Sequence, residues 1–399
     1  PDNKFKRCVL RQHIITVLCY LLRVPFAILD GLQRPFTRRA QRYPQSILLI
    51  KPCCLGDLIM TTPLVEVIHS AYPTATITYV AGTWSKAIPE HHPAVQTVID
   101  SGNIGIPGRY SLRDYRKLAG KLRRQHFDLA FVLDRSPMLT LLPWLAGIPR
   151  RVGPDSLGRG FSLTNRVPVS ASPTQLQHQA EMYLDLARAI DLPVNHPRMR
   201  FVPTGAERQT VSEPTRTRIA LLPGGGSNPG MQLTAKRWSL ERYQELTERL
   251  VRVLRAEVLL IGGPDDAALN SQLLDGLHVP TGSVLNLAGK TTIGELAAQL
   301  ERCDLFIGND SSPMHLAAAL DIPVIAIFGP TSPQEYGPYP LDDPRHVALW
   351  KNPHGQPCFF LGKMRPCANC TCMQAISVDD VWEAVQRFIP IAQSNEVPQ

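Results

Sequence analysis

The chain has 399 residues, of which 44% are hydrophobic and 19% charged, so it is long enough for two domains and too apolar for wholesale disorder. Its net charge of +8 is concentrated in residues 1–42, which hold nine basic and two acidic side chains. No recognised nucleic-acid motif accompanies this charge, and we expect no nucleic-acid partner. Nine cysteines without a cleavable signal predict a reduced, cytoplasmic protein.

Residues 1–45 are predicted to form a basic amphipathic extension. The apolar run from Ile14 to Leu22 is interrupted by Arg23 and Pro25 before it reaches the roughly 20 residues of a membrane span. Mixed basic and apolar residues are typical of a helix lying in the plane of an anionic membrane surface. A helix packed on the protein body or on a partner chain is the alternative.

From Ser46 onward, short apolar runs alternate with helical patterns. Predicted strands cover residues 47–50, 76–81, 95–100, 129–133 and 150–153, and predicted helices cover 58–72, 114–125, 136–146 and 177–190. This alternation predicts a parallel, doubly wound sheet. We assign residues 46–207 to an N-terminal Rossmann-like domain.

A polar stretch at residues 205–218 predicts a linker, after which the pattern restarts. Predicted strands cover residues 218–222, 258–261, 305–307 and 324–328, and predicted helices cover 240–254, 293–302, 316–320 and 378–388. We assign residues 208–376 to a second Rossmann-like domain and residues 377–399 to a C-terminal helix and tail. The expected fold class is therefore α/β, with two doubly wound domains facing a central cleft.

Asp57 is the candidate general base, because ligands of parallel sheets bind beyond the carboxyl ends of the strands. It follows the first predicted strand, and Gly56 beside it permits close approach of the backbone. A carboxylate there could take a proton from an acceptor hydroxyl. An ordinary helix N-cap is the alternative.

Two glycine-rich loops of the second domain offer candidate nucleotide contacts. Gly224 and Gly225 precede Lys236, whose charge would stabilise a departing diphosphate; a solvated basic loop is the alternative. Asp265 or Asp266 could bind ribose hydroxyls, or could only form a turn and a helix cap. The absence of P-loop order and of a G-x-G-x-x-G fingerprint after the first strand disfavours an NTPase and a nicotinamide dehydrogenase.

Asp310, Ser311 and Ser312 lie between a predicted strand and a predicted helix. Backbone N–H groups at such a helix start suit a diphosphate, while the Asp310 carboxylate suits sugar hydroxyls. His315, one turn further, could contact a phosphate or hold the loop. The alternative is a cap for a structural helix.

A cysteine cluster near the C-terminus has the spacing C-x8-C-x2-C-x-C. Its members are Cys358, Cys367, Cys370 and Cys372. Four thiolates could hold structural Zn or Fe tetrahedrally, although the spacing matches no standard zinc ribbon. Reduced packing cysteines or an adventitious disulfide are the alternatives.

Taken together, these motifs resemble glycosyltransferase family 9, the ADP-heptose:lipopolysaccharide heptosyltransferases. The resemblance is carried, in order, by residues 47–63, 127–153, 223–225, 236–238, 262–264, 308–320 and 328–331. It implies a GT-B fold with the acceptor on the N-terminal domain and the nucleotide sugar on the C-terminal one. It also implies Asp57 as base, Lys236 as diphosphate contact, and Asp310 with Ser311 and Ser312 as the donor loop.

The expected reaction is inverting, metal-independent transfer of heptose from ADP-heptose to a lipopolysaccharide core or related lipid-linked glycan. No cofactor is expected in catalysis, and the expected location is the cytoplasm, peripheral to the inner face of the cytoplasmic membrane. Cys53, Cys54 and Asn309 depart from the residues usual in the family at those positions. The alternatives are another nucleotide-sugar donor, a sugar-nucleotide epimerase, or a non-catalytic binding subunit of a glycan pathway.

Overall fold

The computed structural model describes residues 2–33, 43–106, 109–170, 172–228, 231–352, 355–360, 363–364 and 371–390. The chain divides into two compact units, Pro1–Pro197 and Arg198–Gln399. The division falls earlier than the predicted boundary at residue 207, because the predicted linker belongs to the second unit. Within that stretch, Nε and Nη2 of Arg208 each donate a hydrogen bond of 2.7 Å to the carboxylate of Glu301.

The first unit is a six-stranded parallel sheet with helices between the strands. Its helices are α1 (Asp2–Gln33), α2 (Leu55–Ala71), α3 (Ala87–Glu90), α4 (Leu112–Arg123), α5 (Pro137–Leu145) and α6 (Gln179–Arg188). Its strands are β1 (Ser46–Ile50), β2 (Thr76–Ala81), β3 (Thr97–Asp100), β4 (Leu129–Val132), β5 (Arg150–Asp155) and β6 (Asn165–Pro168). The spatial order is β3-β2-β1-β4-β5-β6, and every neighbouring pair is parallel. The central strands β1 and β4 are continuous apolar runs because both faces of the sheet are covered.

The second unit repeats this architecture. Its helices are α7 (Gly205–Gln209), α8 (Leu240–Leu254), α9 (Ala267–Asp275), α10 (Ile293–Leu300), α11 (Ser312–Ala319), α12 (Pro333–Tyr336), α13 (Thr371–Gln374) and α14 (Val378–Phe388). Its strands are β7 (Arg218–Leu222), β8 (Ser227–Asn228), β9 (Met231–Gln232), β10 (Glu257–Leu260), β11 (Val284–Asn286), β12 (Leu305–Asn309), β13 (Val324–Phe328), β14 (His346–Trp350), β15 (Phe359–Phe360) and β16 (Lys363–Met364). The parallel sheet has the order β11-β10-β7-β12-β13-β14, which is the same doubly wound order as in the first unit. The predicted α/β class with two Rossmann-like domains is confirmed.

Helices α8 and α14 begin and end where the sequence predicts, because their signals are strong and local. Ser239 caps α8 by accepting a hydrogen bond from the backbone of Arg242, and Ser377 forms a reciprocal capping box with Asp380. Both helices bury one apolar face against the sheet of the second unit.

Helix α1 runs without a break through Pro25, so Arg23 and Pro25 interrupt the apolar run in the sequence but not the helix. Proline removes one intrahelical hydrogen bond, and on this part of the helix Arg23 pairs with Asp155 and Phe26 packs on Trp144. By length and composition, Ile14–Gly31 is a candidate membrane span, with a mean hydropathy of 1.8 and 6% of its residues buried. No second candidate occurs in the described part of the chain.

Candidate active site

Asp57 lies in the first turn of α2. The helix begins at Leu55, three residues earlier than predicted, and its N-cap is Cys54. The alternative that Asp57 is merely the N-cap is therefore wrong. The Asp57 side chain is 32% exposed, so a substrate hydroxyl can approach it.

A buried cation holds this carboxylate in place. The Nζ atom of Lys51 lies 3.1 Å from Oδ2 of Asp57 and 3.2 Å from Oδ2 of Asp134. Burial opposes the charge of Lys51, but nearby Tyr183 and the carboxylates of Asp57 and Asp134 raise its pKa well above the ordinary value. Lys51 therefore stays protonated at neutral pH and orients Asp57.

The second partner of Lys51 is itself fixed. Oδ1 of Asp134 accepts a hydrogen bond of 2.8 Å from the backbone N–H of Ser136. Lys51 follows β1 and Asp134 follows β4, and these two strands are neighbours in the sheet. Adjacent parallel strands bring their carboxyl ends together, a signal from which the sequence analysis could have found both residues.

The loop between β1 and α2 carries the two vicinal cysteines. The carbonyl of Pro52 accepts hydrogen bonds from the backbone of Gly82 at 3.0 Å and from Ser85 Oγ at 2.9 Å, which tie this loop to the end of β2. The hydrogen bond between the two thiols lowers the pKa of Cys53 and raises that of Cys54. Cys53 therefore holds the more acidic thiol beside the candidate base.

In the second unit, Lys236 and Asp310 form an ion pair at the carboxyl edge of the sheet. Lys236 Nζ donates to Oδ2 of Asp310 at 2.7 Å, and Thr331 Oγ1 donates to the same oxygen at 2.6 Å. The side chains of Lys236 and Asp310 are 14% and 4% exposed, respectively. Among the described residues, none donates a hydrogen bond to Oδ1 of Asp310, so this atom can still accept one from a ligand.

The two residues after Lys236 are structural. Arg237 donates to the carbonyl of Gly225 at 3.0 Å and to Oδ1 of Asp266 at 3.2 Å. Trp238 is 3% exposed, and its indole donates to the carbonyl of Ile376 at 2.9 Å. Of the three residues Lys236, Arg237 and Trp238, only Lys236 pairs with Asp310.

Asp265 and Asp266 have different environments. Asp266 is 5% exposed and accepts hydrogen bonds of 3.0 Å from the backbone N–H groups of Gly225 and Gly263. Asp265 is exposed and accepts 3.0 Å from Ser227 Oγ. Asp266 thus braces the glycine loops from within, and Asp265 is the one accessible to a ligand.

The glycine loop lies against the start of α11. Gly225 has a φ of +91°, and a Cβ atom there would lie 2.9 Å from the Cβ of Ser311, so both the turn and the close approach require glycine. Ser311 and Ser312 are half-buried, with Ser311 as N-cap. Gly224, Gly225 and the donor-loop serines are therefore brought together, as a diphosphate site needs.

His315 lies behind this loop. It is 3% exposed, and burial lowers its pKa to about 4 despite the nearby Asp310 carboxylate. The ring is therefore neutral at neutral pH. A neutral ring does not supply a cation to a phosphate.

Asn309 joins the loops of the second unit, a role that the sequence analysis missed. This fully buried side chain accepts hydrogen bonds from the Trp238 N–H at 3.1 Å and the Tyr243 hydroxyl at 3.0 Å. Its amide nitrogen donates to the carbonyls of Pro223 at 3.0 Å and Gly224 at 2.9 Å. One side chain therefore connects the glycine loop, the segment after Lys236 and helix α8.

Replacing Asn309 with Leu is expected to lower the free energy of unfolding by about 3 kcal/mol or more, because each unsatisfied buried polar group costs about 1–3 kcal/mol. Urea titration followed by tryptophan fluorescence would measure this loss. Asn195→Leu at an exposed position is the matched control, with an expected change within about 0.5 kcal/mol. Equal stabilities of the two variants would contradict the role of Asn309.

The predicted metal cluster falls partly outside the described residues, because Cys367 and Cys370 lie there. Cys358 is half-buried and Cys372 is 4% exposed. Within the described residues, no group of three or more His, Cys, Asp or Glu side chains could hold a metal ion. The four-cysteine site stays a prediction.

Comparisons with known proteins agree on one family. Residues 115–367 match the family described as glycosyltransferase family 9 (heptosyltransferase). The lipooligosaccharide heptosyltransferase 2 of Haemophilus influenzae is 31% identical over 314 residues, covering 75% of this chain and 86% of the relative. The lipopolysaccharide heptosyltransferase 2 of Escherichia coli K12 is 30% identical over 304 residues, covering 72% and 83%. The solved structure of E. coli ADP-heptose lps heptosyltransferase II matches with a TM-score of 0.68 and 26% identity, covering 86% of this chain and 98% of that one.

Proposed function

The chain belongs to glycosyltransferase family 9 (heptosyltransferase), and from this premise we propose that it transfers heptose from ADP-heptose to a lipopolysaccharide core or related lipid-linked glycan. The observation that carries the proposal is that each unit holds a site whose chemistry complements that of the other. One is the Asp57 carboxylate, which Lys51 positions, and the other is the Lys236 cation, which pairs with Asp310 next to the start of α11 at Ser311. A deprotonated hydroxyl and a departing diphosphate need these two kinds of group.

The acceptor is activated by Asp57. Its Oδ2 faces Lys51, while no described residue donates a hydrogen bond to Oδ1, which can accept the proton of the acceptor hydroxyl. The hydroxyl oxygen then forms a bond to the anomeric carbon of the donor, and the bond from that carbon to the diphosphate oxygen breaks. ADP leaves with the electron pair, and the configuration at the anomeric carbon is inverted.

The donor is held by the second unit. Oδ1 of Asp310 accepts a hydrogen bond from a sugar hydroxyl, and Asp265 accepts one from the ribose. The backbone at Gly224, Gly225, Ser311 and Ser312 takes the diphosphate, whose growing charge Lys236 stabilises. Asp266 and His315 support these loops without touching the donor.

The proposed transfer requires no metal and no cofactor, because Asp57 acts as the base and Lys236 stabilises the charge of the departing diphosphate. A Zn or Fe ion at Cys358, Cys367, Cys370 and Cys372 would be structural. Since the acceptor is anchored in lipid, the enzyme would work in the cytoplasm at the inner face of the cytoplasmic membrane.

A donor panel tests the proposal. Purified protein is incubated with ADP-heptose, with other ADP-sugars, and with UDP- and GDP-sugars, each with and without extracted lipopolysaccharide cores. Turnover is expected with ADP-heptose and only when a core is present. Transfer from another donor, an epimerised sugar nucleotide without acceptor, or donor binding without any turnover would each contradict it and point to the corresponding alternative.

A further inference from the structure

Helix α1 packs one side against the first unit. The Phe26 ring lies 4.8 Å from the ring of Trp144 and 4.9 Å from that of Phe161, both in edge-on geometry. Cys19, two turns earlier on the same side, is 3% exposed. The helix is therefore docked along part of its length.

The charged residues inside the apolar stretch of α1 belong to this docked side. Arg23 forms an ion pair with Asp155, and Asp30 forms one with Arg151. Asp30 also accepts a hydrogen bond of 3.1 Å from the indole nitrogen of Trp144. Both charges are thus neutralised by the protein body, whereas in the core of a bilayer they would be costly.

The opposite side of α1 is an uncharged apolar stripe. Each member lies three or four residues from another member, which places them all on one helical face. They are Ile14, Val17, Leu18, Leu21, Val24 and Ile28, each 53–66% exposed. We call these six residues the outer stripe.

We propose that the outer stripe inserts into one leaflet of an anionic lipid bilayer, so that α1 lies in the membrane plane while its other side stays docked. This proposal goes beyond heptose transfer and does not depend on it. For Ile14–Gly31, the proposal predicts a helix in the membrane plane and excludes a membrane span. A span would pull Arg23 and Asp30 away from Asp155 and Arg151 and into hydrocarbon.

Charge favours a lipid surface over a second copy of the chain as the occupant. In the sequence, basic residues flank the apolar stretch on both sides: Lys4, Lys6, Arg7 and Arg11 before it, and Arg34, Arg38, Arg39 and Arg42 after it. Two such segments would repel each other, whereas anionic headgroups attract them. Helix α4 also exposes basic side chains, namely Arg113, Arg116 and Lys117. This helix contacts α5, which in turn contacts α1 through Trp144.

Sedimentation with vesicles of phosphatidylglycerol and phosphatidylethanolamine tests the insertion. The full chain carrying Leu21→Gln and Val24→Gln is expected to partition at least about tenfold more weakly than the unchanged protein, because two apolar side chains no longer leave water. The matched control is Val253→Gln with Leu274→Gln, two exposed apolar residues on α8 and α9. Equal binding by the outer-stripe variant, or an equal loss in the control, would overturn the proposal.

Two further measurements distinguish a lipid surface from the other possible partners of the outer stripe. Vesicles of phosphatidylcholine alone are expected to bind at least about tenfold more weakly, and alkaline carbonate is expected to release the protein from cell membranes. Retention after carbonate would indicate a membrane span. A dimer that the outer-stripe variant converts to monomer, with vesicle binding unchanged, would indicate a second copy, and either result contradicts the in-plane helix.

Discussion

Asp57→Asn is expected to reduce kcat for heptose transfer by about 10²–10⁴-fold, the range associated with loss of a positioned general base. The amide has nearly the shape of the carboxylate but cannot take the acceptor proton. Lys51 keeps its contact with Asp134 in this variant, so the buried cation is not left alone. The loss should therefore appear in turnover and not in folding.

Three measurements separate catalysis from structure for Asp57. The rate of ADP release at saturating substrates gives kcat. Calorimetric titration with ADP-heptose gives the donor affinity, and thermal unfolding gives the stability. Donor affinity should be unchanged, because the residues proposed to bind the donor belong to the second unit. Full turnover by Asp57→Asn would remove Asp57 from the role of base.

Lys236→Met is expected to reduce kcat by about 10²–10³-fold, the cost of removing one preorganised group from a developing negative charge. It also leaves the buried Asp310 carboxylate without its cation, and breaking such a buried pair costs about 3–5 kcal/mol of stability. Both kcat and the free energy of unfolding should therefore fall. ADP release and urea titration measure the two effects.

A double variant separates the two roles of Lys236. Lys236→Met combined with Asp310→Asn has no unpaired charge, so stability should recover while kcat stays low. Lys236→Arg, which keeps the cation, is the conservative control and should retain part of the turnover. Recovery of full kcat in the neutral double variant would show that Lys236 serves only to pair Asp310.

The sequence predicts the central strands and the long amphipathic helices well because their signals are local. Apolar runs specify β1, β4, β7 and β13, and capping residues with helical periodicity specify α8 and α14. The edge strands β6, β11 and β14 were missed. They are only partly buried and lack a continuous apolar run, so their pairing depends on the sheet beside them.

The candidate site was predicted in part for a similar reason. Glycine-rich loops and carboxylates at strand ends can be seen in the sequence, and Asp57, Lys236 and Asp310 were selected there. The partners that position them come from distant segments. Lys51 meets Asp134 only because β1 and β4 are neighbours, and the role of Asn309 depends on three segments converging.

The different environments of Asp265 and Asp266 show most clearly what the sequence alone does not predict. Two adjacent aspartates after a glycine-rich turn are equivalent in the sequence. Their backbone directions place one among the N–H groups of Gly225 and Gly263 and leave the other exposed. Only the fold distinguishes the bracing residue from the accessible one.

The most direct test of heptose transfer is a mass measurement on the acceptor. Lipopolysaccharide core lacking its outer heptose is incubated with ADP-heptose and either the unchanged protein or Asp57→Asn, and acceptor mass and released ADP are read from the same sample. The unchanged protein should add one heptose to the core for each ADP released, while the Asp57→Asn variant leaves both nearly unchanged. Release of ADP without a gain in acceptor mass, or equal products from the two proteins, would contradict the account.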